Sequence, residues 1–192
     1  SSSSAASDVY KRQAQMIHNF VNGGAGINAL ARQAGAEVVV VDMGAAADLD
    51  DLARDGRIIS RKIGSGTDNM ARGPAMSRTN AVLAVEAGIE LAMKLGPDVD
   101  VFGTGDMGIG NTTPSAAIAA VLTGKEVAAV TGRGTGLDDD QLEHKIRIIE
   151  QSIKVNQPDP RDGLDVLAKV GGFELAGIAG LILSLIHISE PT

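Results

Sequence analysis

The residues best arranged for chemistry lie in the stretch Val101 to Ser115, VFGTGDMGIGNTTPS. Glycines 103, 105, 108 and 110 let the backbone approach a ligand closely and expose its amides. Asn111, Thr112 and Thr113 then open a helix that Asn or Thr can cap, and Pro114 has no amide to leave unsatisfied. Free amides and the positive end of a helix dipole together favour an anion, typically a phosphate. Gly105, Met107, Gly108, Gly110, Asn111, Thr112 and Thr113 are therefore candidate substrate-binding positions. Residues 103 to 108 also satisfy G-x-G-x-x-G, the dinucleotide signature, with Glu126 a loose candidate for the ribose-binding acid. A glycine-rich chain produces that match by chance, and a tight turn without ligand is the plain alternative.

A second turn, Thr131 to Gly136, reads TGRGTG. Arg133 between Gly132 and Gly134 is suited to pairing with a phosphate or carboxylate. Asp138, Asp139 and Asp140 occupy the start of the following helix, where an anion would meet like charge. The phosphate therefore belongs nearer Asn111 to Thr113, leaving the second loop to face sugar or base. Lys145, two turns inside that helix, is placed to reach a phosphate or to remain a solvated surface lysine. Asp106 is the one carboxylate inside a glycine loop after a strand; it either steadies positive charge on a ligand or bonds its own turn. Asp42, at a strand end, is a ligand candidate and equally a strand terminator. His18 and His144 lie on helices without partners at metal-ligand spacing, and no G-x-S-x-G elbow supports a serine triad.

Elements must hold these loops in place. Gln15 to Gln33 reads as a helix with Met16, Phe20, Ile27 and Leu30 near helical spacing and Gly35 just past its end. Gly23, Gly24 and Gly26 weaken it by roughly 1 kcal/mol each relative to alanine, which points to close packing. Val38 to Val41, Asp98 to Phe102 and Val127 to Val130 read as strands, and Ile58-Ile59 as a short apolar run. Ile63 to Arg72 is a polar Gly-rich loop, and Pro74 marks the start of a helix over Ala75 to Leu95 that Gly96-Pro97 stops. Further helices are expected over Thr112 to Leu122, over Leu137 to Val155 with Leu142, Ile146, Ile149 and Ile153 as buried stripe, and from Leu164 to Val170. Apolar strands alternating with helices predict an α/β fold: a Rossmann-like doubly wound parallel sheet with helices on both faces, incomplete at both ends.

With 192 residues, a formal net charge of −7 and 44% hydrophobic residues, the composition is that of a soluble globular chain. The absence of cysteine excludes disulfides, thiolate metal sites and a cysteine nucleophile. Acidic balance and 2% aromatic content argue against nucleic acid, and the longest apolar stretch, Ile178 to Ile188, is too short to span a membrane. A cytoplasmic location is expected. Residues 1–13, Ser-rich and then DVYKRQ, and residues 184–192, SLIHISEPT, do not continue the neighbouring pattern and resemble translated adapters. We therefore expect a non-native leader, a core α/β domain over 14–183 and a non-native tail, the core being an internal piece of a longer protein.

Five runs occur in order: NGGAGINALARQAGAEVVVVDMG (22–44), ARGPAMSR (71–78), GTGDMGIGNTTPSAA (103–117), GRGTGLDD (132–139) and NQPDPRDGLDVLAKVGGFELAGIAG (156–180). Together they resemble the nicotinate-nucleotide–dimethylbenzimidazole phosphoribosyltransferases of cobalamin biosynthesis. The resemblance implies transfer of phosphoribose from nicotinate mononucleotide to 5,6-dimethylbenzimidazole, giving α-ribazole 5′-phosphate and nicotinate with inversion at the anomeric carbon. It also implies a homodimer, a smaller helical domain formed by both termini of the full protein, and no metal or organic cofactor. The family's general base is a glutamate in a Gly-rich segment near the carboxyl terminus, which these 192 residues do not contain. The acid of the GTGDMG loop is usually glutamate in the family, and Asp106 is one methylene shorter. The isolated chain is accordingly expected to be inactive or nearly so. The competing readings are an NAD-dependent dehydrogenase using the same glycines, distinguished by protection with NAD, and a nucleotide-binding module that performs no transfer.

Overall fold

The structure, a computed structural model, describes residues 2–134 and 136–189, with side chains over 10–134 and 136–186. It divides into two compact units, Ser1–Gly66 and Thr67–Thr192.

In the first unit, α1 (Ser2–Val21) and α2 (Gly26–Ala34) replace the single helix expected over 15–33. Gly23 takes a left-handed φ of 76°, which ends α1, so the glycines break the helix rather than tighten its packing. Asn28 joins the two pieces: its Oδ1 accepts from the Ala25 amide at 3.0 Å and its Nδ2 donates to the Phe20 carbonyl at 3.1 Å. The break rotates the buried face. Ile17, Asn28 and Ala31 are buried, whereas Ile27 and Leu30 of the expected stripe are exposed. Gly35 does terminate α2 in the left-handed region, with the Ala36 amide bonding back to the Ala31 carbonyl at 2.9 Å. The valine run yields only β1 (Val41–Asp42), and Val39 is exposed, so the expected strand buried on both faces is not formed. After the short α3 (Asp50–Arg54), β2 (Ile59–Ser60) pairs with β1 in parallel, Val41 opposite Ile59 and Asp42 opposite Ser60. Asp42 ends its strand by accepting from the amides of Gly44 and Ala45 at 2.9 and 2.8 Å.

The second unit is helical among its described residues: α4 (Arg78–Leu95), α5 (Thr112–Thr123), α6 (Val127–Val130), α7 (Asp139–Asn156), α8 (Gly163–Val170) and α9 (Phe173–Ser189). The first of these begins after Ser77, whose Oγ accepts the Asn80 amide at 3.0 Å, and not at Pro74. Ala75 and Met76, expected in the helix, instead donate to the carbonyls of Lys169 and Ala168 at the end of α8. Residues 98–102 form no strand; Val101 is almost fully exposed, and a strand without a ladder partner does not persist. Residues 127–130 are one helical turn, because two alanines sit between the valines and Val127 packs into the core. That core gathers Ala116, Ala117 and Ala120 of α5 with Ile149 of α7 and Val166 and Val170 of α8. Ile149 is fully buried, with Ile146 and Ile153 flanking the cluster, as the stripe spacing requires.

The architecture is thus α/β with one short parallel pair, and the described residues do not form the expected doubly wound sheet with helices on both faces. Ser184 to Ser189 continue α9, and residues 2–13 belong to α1. Ser1 and residues 190–192 of the expected leader and tail lie outside the described residues. Among the described residues no helix is long and apolar enough to cross a membrane.

Candidate functional site

The glycine loop of the second unit leads into α5 as an irregular segment. Gly103, Gly105 and Asp106 are exposed, and Met107 and Gly108 half-buried. Gly108 and Gly110 carry φ values of 75° and 91°, open to glycine and strained for other residues. Asn111 stands at the cap position, buried, but its side chain makes no capping bond. Its carbonyl accepts instead from the Ser115 amide at 3.0 Å and the Ser115 hydroxyl at 2.8 Å. Pro114 contributes no N–H, so the amides of Thr112 and Thr113 are the first-turn donors, and among the described residues no side chain caps them. This is the arrangement that accepts an anion.

Lys145 completes the corner. Its ammonium donates to Thr112 Oγ1 at 3.0 Å and to the Gly132 carbonyl at 3.3 Å, joining the start of α5 to the TGRGTG turn. Gly134, at φ 57°, passes so near that an added Cβ would lie 3.7 Å from Thr112 Oγ1 and 3.8 Å from Lys145 Nζ. Burial pulls the Lys145 ammonium below the ordinary lysine range. Its partners are neutral oxygens, so the charge is available to an anion at the open amides. Gly110, Asn111, Thr112, Thr113, Gly132, Gly134 and Lys145 therefore belong to one neighbourhood. Thr135, within the turn, lies outside the described residues.

Arg133 points to a different partner. Its guanidinium donates to the Leu137 carbonyl at 3.0 Å and pairs with Asp139, both groups exposed. It braces the start of α7, where Asp138 caps the Gln141 amide at 2.8 Å. An open groove of about 580 Å³ runs beside Lys145, between Thr113, Leu137 and the α7 face bearing Gln141, His144 and Ile148. Neither His144 nor His18 joins a metal-binding cluster among the described residues.

Sequence reasoning did not single out Glu174. It stands in the first turn of α9, half-buried; burial raises its carboxyl above the ordinary glutamate range, and the Asp106 carboxylate adds to that rise. The available signal was an acid two residues beyond Gly171-Gly172 in a run already noted for its resemblance.

Residues 4–189 match a family described as phosphoribosyltransferase. The chain belongs to this phosphoribosyltransferase family. A nicotinate-nucleotide–dimethylbenzimidazole phosphoribosyltransferase from Desulfotalea psychrophila is 61% identical over 169 residues, covering 88% of this chain and 48% of that protein. A protein of the same name from Syntrophotalea carbinolica is 56% identical over 177 residues, covering 92% and 50%. Among solved structures, CobT from Thermus thermophilus superposes with a TM-score of 0.84 at 39% identity, over 93% of this chain and 53% of that one. The chain thus spans about half the length of the curated relatives it matches.

Proposed function

We propose that the protein represented by this chain transfers phosphoribose from nicotinate mononucleotide to 5,6-dimethylbenzimidazole, yielding α-ribazole 5′-phosphate and nicotinate, in assembly of the cobalamin nucleotide loop. The observation that carries the reading is Lys145 bonded to both Thr112 and Gly132 beside the open amides of Thr112 and Thr113. The nucleotide's 5′-phosphate sits there, and Gly105 to Gly110 bring the main chain close to the ribose. Cleavage of the glycosidic bond develops positive charge on the sugar, which the Asp106 carboxylate on the same loop offsets while the phosphate is anchored elsewhere. A benzimidazole nitrogen attacks the anomeric carbon from the opposite face, forming the new C–N bond as nicotinate leaves with the old bonding pair. The proton on the other ring nitrogen needs a base, a role we assign to none of these residues.

Family membership supports extending the reading to the whole protein: a cytoplasmic homodimer built on a Rossmann-like doubly wound sheet to which β1 and β2 contribute. The same membership disfavours a dehydrogenase using Gly103, Gly105 and Gly108. Calorimetric titration of nicotinate mononucleotide into the chain tests the site. Lys145→Ala is expected to weaken binding about 10- to 100-fold, the value of a charge-assisted hydrogen bond. Unchanged affinity, or soaked crystals with the ligand in another cleft, would overturn the assignment.

A further inference from the structure

Arg54, Arg78, Arg133 and Arg147 each pair with a carboxylate. Arg32 and Arg57, both in the first unit, bond only neutral oxygens among the described residues, and at a single turn. Nη1 of Arg32 donates to the Gly23 carbonyl at 3.0 Å. Nη2 of Arg57 donates to the Val21 carbonyl at 3.1 Å and to Asn22 Oδ1 at 2.7 Å. These acceptors belong to consecutive residues spanning at most about 7 Å, so one short turn gathers both cations. Capping carbonyls past the end of α1 is an ordinary task for arginine, but it engages one nitrogen of each guanidinium and leaves the others with free N–H donors. Gly23, at φ 76°, keeps the turn open there: an added Cβ would stand 3.6 Å from Arg32 Nη1. Both arginines line a hollow of about 260 Å³ together with Phe20, Val38 and Val40, and no residue lining it is acidic. Two like charges in one hollow oppose each other until an anion joins them.

We propose that this hollow is a phosphate-binding site of the first unit, where Arg32 and Arg57 hold inorganic phosphate or a small phosphomonoester. A phosphate carries nearly two negative charges at neutral pH and balances two guanidinium groups, whereas a carboxylate balances one. The volume lies below the roughly 300 Å³ at which pockets for larger ligands begin, which suits a phosphate or a phosphorylated sugar and not a dinucleotide. Thr112, Thr113 and Lys145 belong to the second unit, so the inference does not rest on the phosphoribosyl reading.

The test titrates inorganic phosphate, ribose 5-phosphate and acetate into the isotope-labelled 192-residue chain carrying Lys145→Ala, which weakens the other phosphate corner. Physiological salt screens diffuse attraction, and a net charge of −7 disfavours anions in general. The backbone amide signals of Gly23, Gly24 and Ala36 are expected to shift and to saturate with phosphate. Arg32→Gln and Arg57→Gln keep an N–H for the carbonyl bonds and should each weaken binding about 10- to 100-fold, with thermal melting confirming that each variant is folded. Tighter binding of ribose 5-phosphate would identify a phosphomonoester as the ligand, and tighter binding of inorganic phosphate the free ion. Acetate binding as well as phosphate overturns the ligand class. Shifts that fail to saturate, or that spare this turn, overturn the site whatever the variants do, as does unchanged affinity in either folded variant.

Discussion

Replacing Gly88 with alanine puts a methyl group where two helices already touch. The new Cβ would lie 2.8 Å from the Gly177 carbonyl carbon and 2.8 Å from the Leu181 amide nitrogen, and nearer still to the Gly177 oxygen. Ordinary non-bonded separations are about 3.5–4.0 Å, so α4 and α9 must part by about 1 Å. Every obstructing atom is backbone, so no rotamer change relieves the clash. Overpacking costs about 1–3 kcal/mol where side chains can adjust; with rigid neighbours we set it at about 4 kcal/mol. Alanine returns about 1 kcal/mol through helix propensity, for a net loss of about 3 kcal/mol. At about 2–4 °C per kcal/mol for a chain of this size, Tm should fall by about 6–12 °C. Thermal melting by circular dichroism reads this directly. Gly163→Ala is the control, because a Cβ there meets nothing within 4 Å, and its melting point should hold or rise. A Gly88→Ala chain melting at or above the unsubstituted one would refute the glycine-mediated contact between these helices.

Ile149 is fully buried at the centre of the α5–α7–α8 core, so Ile149→Ala should cost about 2–5 kcal/mol in urea unfolding; a loss below about 1 kcal/mol would contradict that packing. Asp165 accepts from the Asp159 amide at 2.8 Å and from Lys169 at 2.9 Å, and both bonds hold its carboxyl below the ordinary aspartate range. A depressed folded-state value gives stability that is complete above the unfolded value near about 3.9 and is lost as pH falls through the folded one. The urea midpoint should therefore drop below about pH 4, and Asp165→Asn should flatten that drop; an unchanged acid limb would argue against the Asp165 bonds.

Legibility followed the range of the deciding interactions. The long stripe of α7, the start of α8 and the glycine at the end of α2 are written in neighbouring residues, and they appear close to where periodicity and capping place them, while Asp138, expected inside α7, is its cap. Val127 to Val130 misled because four residues are too few to distinguish a strand period from a helical one, and burial against α5 chose the helix. Residues 98–102 have strand composition without a described strand beside them. Met16, Phe20, Ile27 and Leu30 share a face only on an unbroken helix, and the left-handed Gly23 removes that condition.

The same division holds for the candidate site. By itself the sequence determined the glycine loop and the run of acids at the start of α7, since each depends on residues adjacent in the chain; that Asn111 leaves the start of α5 without the side-chain cap expected there was decided by the structure. Tertiary structure decided that Lys145 reaches Thr112 across 33 positions and that Arg133 is taken up by Asp139. It also decided that Glu174 is half-buried in the first turn of α9, which raises its carboxyl above the ordinary glutamate range. Those outcomes depend on burial and on distances between segments far apart in the chain, which only packing sets.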